Sequence, residues 1–499
     1  MEELARLHPL TLVQRALRSL PVVALALVSI LSGNDGIATI PLIVFGALYG
    51  LVALPLIVVQ YLRFGYSVTR RAITIHSGVL TRRRRNIPLE RVQNVVVERS
   101  LLPRLLGTAK VRIETAGSKE AEGVLEYVGL AEAERIREIV RLYRHEAVPV
   151  VEGPVSDRLF TMTLGRMFLS GAYRFSLVYI AIIFSGLQYF GDAIGLSPES
   201  VAEFLVGGGA EEMAMTARTS PWEIGAVTIL AAIAFGWLTG VAVTVTRYWG
   251  FRLDRSGDKI LRRHGLFTVR EGAIPLKRVQ SLILRQNPLM RAFGWYRLEL
   301  QTVGYDVEKR GYQVAVPFAR LAEIIELAPH ILPFSLPASF EMVSPLHFRR
   351  TMVRYTISCV VLLAIPAYWW PQVWWGLMLL PALYFLALLQ YRFHGFVLTD
   401  DFLFIRRGVF QSYLWIVPTE RLQSFSTVGN PFQRRLGLRS VLVDTAGAQA
   451  VRYPHVVDLT REAADEFTNA LYARFKDSFR AVQPEGQPEA HTDGLGQGS

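Results

Sequence analysis

The stretch GVLTRRRRNIPLERVQNVVVERSLLPRLLGTAKVRIETAG, Gly78–Gly117, decides the fold, because the chain carries it three times. It returns without a gap as GLFTVREGAIPLKRVQSLILRQNPLMRAFGWYRLELQTVG, Gly265–Gly304, and as GVFQSYLWIVPTERLQSFSTVGNPFQRRLGLRSVLVDTAG, Gly408–Gly447, at offsets of 187 and 143. Identical in all three are Gly78/Gly265/Gly408, Pro88/Pro275/Pro418, Arg91/Arg278/Arg421 and Gln93/Gln280/Gln423. So are Arg104/Arg291/Arg434, Gly107/Gly294/Gly437, Thr115/Thr302/Thr445 and Gly117/Gly304/Gly447. The period is far too long for a solenoid. The chain reads as a tandem array of one small domain.

Each copy reads as strands followed by a helix. Val111 and Ile113 alternate with Arg112 and Glu114, and Leu298 and Leu300 alternate with Arg297 and Glu299. Val441 and Val443 flank Leu442 in the same way. Period two with one apolar face predicts a half-buried strand. Ala72–His76, Lys259–Arg263 and Phe402–Arg406 are further short strands that run into the shared glycine. A turn there needs a residue free to take positive φ. Pro88 and its equivalents lack a donor and are expected at a strand start or an edge. Helices are predicted at Leu130–Arg144, with Ile136, Ile139, Val140 and Tyr143 on one stripe, at Pro317–Leu327, and at Thr460–Phe475 behind a Thr cap. Such a unit is a small antiparallel β assembly with one end covered by a helix.

Outside the copies the apolar residues come in blocks. The chain has 499 residues, 51% hydrophobic and 19% charged, which excludes a disordered protein. Its single cysteine, Cys359, excludes a disulfide framework and a Cys-based metal site, and reads as a packing residue in an apolar stretch. Six blocks approach the roughly 20 apolar residues of a membrane span: Leu20–Ser32, Ala38–Val59, Phe175–Phe190, Trp222–Val245, Tyr355–Trp370 and Val373–Leu389. They pair into three hairpins, one ahead of each copy. The first block is short, and a signal peptide with Arg15 and Arg18 is the rival reading; the hairpin pattern favours a retained helix. Trp369, Trp370, Trp374 and Trp375 mark an interfacial belt. The turns inside the hairpins hold Asp35, Asp192, Glu199, Glu203, Glu211, Glu212 and Arg218, a net −5. The chain as a whole carries +12, so the remainder carries +17. Lys and Arg flanking spans stay in the cytoplasm. Both termini and all three copies are therefore expected on the cytoplasmic face.

The motif G…P-x-x-R-x-Q…R-x-x-G…T-x-G, repeated behind paired apolar helices, resembles the bacterial membrane proteins with tandem PH-like domains of the YdbT type. The resemblance covers nearly the whole chain apart from the tail. It implies a pleckstrin-homology fold, two near-orthogonal antiparallel sheets capped by a C-terminal helix, in a cytoplasmic-membrane protein without a known reaction. It also implies a partner, a shorter relative with one hairpin and one PH-like domain. The expected fold class is a mixed membrane protein. Residues 1–63 form a lead-in and the first hairpin, and 64–146 the first PH-like domain. A linker and the second hairpin take 147–246, and the second domain 247–332. Linker and third hairpin take 333–391, the third domain 392–478, and a disordered tail 479–499.

Chemistry-bearing constellations are few. The nine His residues show no i, i+4 zinc pair, and there is no Walker loop and no G-x-S-x-G elbow. Gly207–Gly209 reads as a flexible link. No catalytic, cofactor-binding or metal residue is assigned, and the chain is read as a non-enzyme. Transport usually needs ionisable residues inside the spans, and none lies near a span centre. The sharpest polar feature is Arg82, Arg83, Arg84 and Arg85, which belongs to the first copy only. It is a candidate contact for anionic lipid, worth about 1 kcal/mol per Arg near a charged bilayer, beside the plainer reading of a solvated positive face. No aromatics interleave with it, so specific nucleic-acid binding is not expected. Arg91, Gln93 and their equivalents, two apart on a strand, could line a groove, but are read as keeping the fold; so are Gly107, Gly294 and Gly437. Leu7–Arg18 and Val343–Arg354 are read as interfacial lead-in helices. The expected function is a membrane-bound scaffold that binds a partner protein and anionic lipid, as a homo- or hetero-oligomer, in envelope maintenance or protection against membrane-active peptides. A transporter or lipid-moving protein is the alternative.

Overall fold

The structure, a computed structural model, describes residues 4–13, 15–16, 39–79, 81–115, 123–143, 157–174, 221–303, 312–446 and 453–482. The first repeat holds β1 (Gly65–Val68), β2 (Ala72–Ser77), β3 (Arg83–Pro88), β4 (Val92–Ser100), β5 (Thr108–Thr115) and β6 (Gly123–Gly129), closed by the helix Leu130–Tyr143. β7 (Asp157–Thr161) precedes the second repeat, made of β8 (Arg252–Ser256), β9 (Lys259–His264), β10 (Thr268–Pro275), β11 (Val279–Gln286), β12 (Trp295–Thr302) and β13 (Tyr312–Arg320), then the helix Leu321–Leu327. β14 (Glu341–Met342) precedes the third: β15 (Gly395–Leu398), β16 (Phe402–Arg407), β17 (Ser412–Pro418), β18 (Leu422–Val428), β19 (Leu438–Thr445), β20 (His455–Thr460), and the helix Arg461–Val482. Three antiparallel strands, a switch, three more strands and a helix, repeated three times, are three PH-like β-sandwich domains.

The shared residues build the turns of this pattern. Gly78, Gly265 and Gly408 end the second strand of each repeat at φ of 102°, 114° and 101°. A Cβ there would stand 2.0 Å from the carbonyl oxygen three residues on, so only glycine fits. The prolines close the third strand instead of opening one. They lead into single 3₁₀ turns, Leu89–Arg91, Leu276–Arg278 and Thr419–Arg421, where the chain passes from the first sheet of the repeat to the second. The shared arginine therefore ends a turn, and the shared glutamine lies on the following strand. The sequence expectation that both point from one strand to one face is corrected here. Thr460 caps the last helix as expected, its Oγ1 accepting from Ala463 N at 3.3 Å.

Alternation gave the strands, but parts of both seven-stranded sheets are more deeply covered than a half-buried pattern implies. In β12 Leu298 and Leu300 are buried, and so are Arg297 and Glu299. Glu299 lies 3.8 Å from Arg297 and 3.6 Å from Arg285. In β5 Arg112 is buried beside Glu98 at 3.3 Å. Charges on these strands are tolerated under cover because each has a partner of opposite sign.

Sheet order shows how repeats join. The four sheets run β1-β2-β3, then β6-β5-β4-β10-β9-β8-β7, then β13-β12-β11-β17-β16-β15-β14, then β18-β19-β20. The second half of one repeat and the first half of the next thus share one continuous sheet. Accordingly the chain divides into two compact units out of phase with the repeats: residues 1–278 with 304–310 and 315–319, and residues 279–303, 311–314 and 320–499.

Two helices among the described residues are long and apolar enough to cross a membrane, Leu346–Ala367 and Pro371–Arg392. The second begins as a 3₁₀ segment, Pro371–Leu379. Helices Thr39–Arg63 and Pro221–Tyr248 cover two more expected spans. Leu20–Ser32 and Phe175–Phe190 lie outside the described residues. The lead-in Val343–Arg354 is not a separate interfacial helix: from Leu346 it is the start of the apolar helix itself.

Candidate functional site

Three short segments ahead of the repeats are tied to the domain that follows each of them. Ala5 bridges Tyr66 on β1, β7 pairs with β8, and β14 pairs with β15. Leu7 and Val343 are each buried in the core of the following domain. His8 N donates to Tyr127 O at 2.9 Å, and Ser344 N donates to Asp458 O at 3.1 Å. Tyr127 and Asp458 are the two non-glycine residues with positive φ among the described residues, 57° and 54°. Each stands three residues before its closing helix. The unusual backbone turns the carbonyl towards the lead-in, and the segment ahead of the apolar helices is clamped on the domain that follows them.

In the third repeat this clamp carries buried charge. Asp458 is fully buried. Its Oδ2 lies 2.7 Å from Arg350 Nη2 and 2.6 Å from His347 Nδ1, and its Oδ1 accepts from Gln433 Nε2 at 2.7 Å. Burial works against the charge on Asp458, but the hydrogen bonds from His347 and Gln433 and the Arg350 guanidinium outweigh it and lower the pKa. Gln433 is itself placed by a capping box on the short helix Pro431–Arg435, with Asn430. Beyond His347 lie further basic groups. The His394 ring is 4.8 Å from that of His347. Burial, then the nearby His347, lowers the pKa of His394 to about 3, and burial, then Arg407, lowers that of His455 to about 4. Arg406 and Arg407 are pushed down by burial as well. Arg407 Nη1 contacts the ring nitrogens of His455. Sequence reasoning missed this cluster, because its members come from Leu346–Ala367, the residue before β15, β16, the short helix Pro431–Arg435 and β20, and share no spacing.

The arginines chosen from sequence have different settings. Arg82 precedes β3, and Arg83, Arg84 and Arg85 lie on it, all exposed. β3 is an outer strand of its sheet, paired on one side with β2. Arg91 is exposed, Arg278 and Arg421 are partly covered, and Arg421 pairs with the adjacent Glu420 at 2.9 Å. Gln280 is buried, whereas Gln423 is exposed. The signature thus does not converge on one surface. Gly107, Gly294 and Gly437 follow the short helices at φ of 65–66°, ordinary left-handed stops. The shared Arg291 reaches across a repeat boundary. Its Nη2 donates to Gly408 O and Val409 O at 3.2 and 3.1 Å, and its guanidinium lies 4.0 Å from the centre of the Phe393 ring.

The repeat boundaries have one geometry. At the first, β10 pairs with β4 so that Val269 faces Arg99 and Arg270 faces Glu98. At the second, β17 pairs with β11 so that Ser412 faces Gln286 and Tyr413 faces Arg285. These are the same positions of the aligned repeats, so the register is identical. Across the first, Arg99 and Glu271 are 3.8 Å apart; across the second, Arg285 lies 5.4 Å from the Tyr413 ring centre and donates to Gln411 at 2.8 Å. Among the described residues no three His, Cys, Asp or Glu side chains are grouped to hold a metal ion.

Sheets of this order, with apolar helices between the repeats, define a membrane protein built of tandem PH-like domains. Comparison agrees: the family described as "Bacterial PH domain" matches residues 16–144, 206–334 and 356–475, and the chain belongs to it. Over 485 residues it is 23% identical to the "UPF0699 transmembrane protein YdbT" of Bacillus subtilis (strain 168), covering 93% of this chain and 97% of that protein. No solved structure matches.

Proposed function

We propose that the protein is a non-enzymatic scaffold that spans the cytoplasmic membrane six times, in three hairpins, and holds its PH-like domains at the inner leaflet. The observation that carries this reading is the pair of continuous sheets. They weld neighbouring domains in a fixed register, a construction suited to displaying surfaces rather than to moving a substrate. The acidic turns and basic remainder support the inward orientation. A smaller membrane protein with one PH-like domain is the expected partner, with a role in envelope maintenance or protection against membrane-active peptides. Arg82–Arg85, exposed on β3, support contact with anionic lipid. Crosslinking in the membrane followed by purification tests the scaffold reading; recovery of the chain with no partner would remove it. Reconstituted vesicles test the transport alternative, and the scaffold predicts no flux of lipid or solute above protein-free vesicles. Replacing the four arginines with glutamine is expected to lower the anionic lipid that co-purifies with the full chain. An unchanged lipid complement would remove that contact.

A further inference from the structure

Every repeat has one strand of the β4 type and one of the β3 type, and the two internal boundaries join a β4-type strand to the next repeat's β3-type strand. Three repeats in a row leave one of each unjoined. Among the described residues β3 is the outer strand of the first repeat's first sheet and β18 that of the third repeat's second sheet, each paired on one side. On β18, Gln423, Ser424, Ser426, Thr427 and Val428 are exposed. These two edges are the halves of a third boundary. We propose that they meet between copies: β18 of one chain pairs antiparallel with β3 of a second, in the register of the internal boundaries, and builds a head-to-tail assembly.

The aligned register fixes the pairs. Val428 corresponds to Glu98 and Arg285, and Arg83 to Arg270 and Tyr413. Val428 therefore faces Arg83, and Ser426 faces Arg85. At this position the first boundary sets Glu98 against Arg270, and the second sets Arg285 against Tyr413. In each, one arginine is set opposite a residue of a kind that can accept it, a carboxylate in the first and an aromatic ring in the second. The open edges keep the arginine and offer Val428, whose side chain can pack along the aliphatic stem.

The charges also choose between edges. Two β3 strands laid antiparallel would set arginine against arginine, which disfavours pairing. β18 carries no charge from Leu422 to Val428. Arginine on one edge alone rejects the β3–β3 arrangement and permits the unlike one. An unlike, heterologous contact closes into a ring or runs on as an open row. The inference rests on sheet geometry and stands whether or not the arginines also touch lipid.

The test uses full chains in the membrane with Cys359→Ser as background. Two differently tagged copies are produced together, one with R83C and the other with V428C. Facing Cα atoms in antiparallel strands are about 4.5–5.5 Å apart, within disulfide reach. Oxidation is expected to give a covalent species carrying both tags, and R85C with S426C is expected to give the same. R83C with S424C, about four residues out of register, is expected to give none. V428E, which restores the Glu–Arg pair of the first boundary, should raise the R85C–S426C yield severalfold, and V428K should lower it. Absence of both in-register crosslinks would overturn the proposal. So would self-crosslinking of V428C chains, which would mean that like edges meet. Closure of a doubly substituted R83C/V428C chain only within itself would overturn it too, as would equal yields for V428E and V428K.

Discussion

Tyr127 in the first repeat and Asp458 in the third occupy the same place, with the same left-handed backbone and the same carbonyl contact to a lead-in amide. Around them the chemistry differs. The first lead-in is held by Thr11, whose Oγ1 donates to His8 O at 2.8 Å and to Glu126 O at 3.3 Å, and by Arg15 to Glu126 at 3.0 Å. The third is held by a buried carboxylate between Arg350, His347 and Gln433. The comparison teaches that the fold preserves a backbone contact and leaves the side chain to find its own compensation. A hydroxyl with nearby carbonyls and the partly covered Arg15–Glu126 pair suffice in one place. A carboxylate in the other requires two basic partners.

The largest test is to break the charged version. Asp458→Ala strands Arg350 and His347 in the interior and is expected to cost about 3–5 kcal/mol. Hydrogen exchange of His455–Thr460 should accelerate at least a hundredfold, with β6 unchanged. The reciprocal Tyr127→Asp buries a carboxylate next to Glu126 and should cost several kcal/mol there, about 2–5 by the usual penalty for an uncompensated buried polar group. Retained protection of β6 in that variant would show that Arg15 reaches the new carboxylate as well as Glu126.

Acid sharpens the contrast next. His394 and His455 have folded pKa values of about 3 and about 4, below the ordinary histidine value of about 6.5. The unfolded chain therefore takes up protons first as pH falls. The stability tied to the neutral rings is complete above about 6.5 and is lost progressively down to the folded values. Asp458, also lowered, contributes above the usual carboxylate pKa and loses that contribution only at stronger acid. At pH 5, after correction for intrinsic exchange, β15 and β20 should lose protection by about tenfold or more relative to pH 7, while β1 and β6 keep theirs. Equal loss in both repeats would place the acid response elsewhere.

A smaller effect tests where the repeats agree. Gly78→Ala and Gly408→Ala meet the same carbonyl at 2.0 Å and should destabilise their repeats equally. Each should exceed Gly437→Ala, at φ 66° with open space around its missing Cβ, which is expected to cost about 1 kcal/mol. Smallest is Thr11→Val, expected to cost about 1 kcal/mol or less for one hydrogen bond. It is read as a modest rise in exchange at His8.

Much of this was legible in the sequence. The three repeats, their glycine turns, the second and fifth strands and the closing helices follow from identity, period and caps. What was hidden has a common physical character. The repeat boundaries are made by backbone groups, which every residue but proline supplies, so Val97–Ser100 and Thr268–Glu271 carry no special signature. Asp458 looks like any carboxylate until His347, 111 residues away, is folded against it. Arg83–Arg85 were visible as charge, but only topology shows them to lie on an outer strand. The shared Arg91 misled because a 3₁₀ turn of three residues has no period to read.

The lead-in contact also sets an order of events at the ribosome. His347 is made 111 residues before the aspartate it holds, and the rest of its own apolar helix and the whole of the next are made between them. The third repeat cannot close its clamp until both helices and β20 have emerged. Only then does Val343 gain its place in the core. If only one of the two helices crossed a bilayer, β20 would lie on the opposite side from the lead-in, and Asp458 would stay without Arg350. The domain in this sense reports on the helices before it: it completes only when both ends of the pair lie on one side.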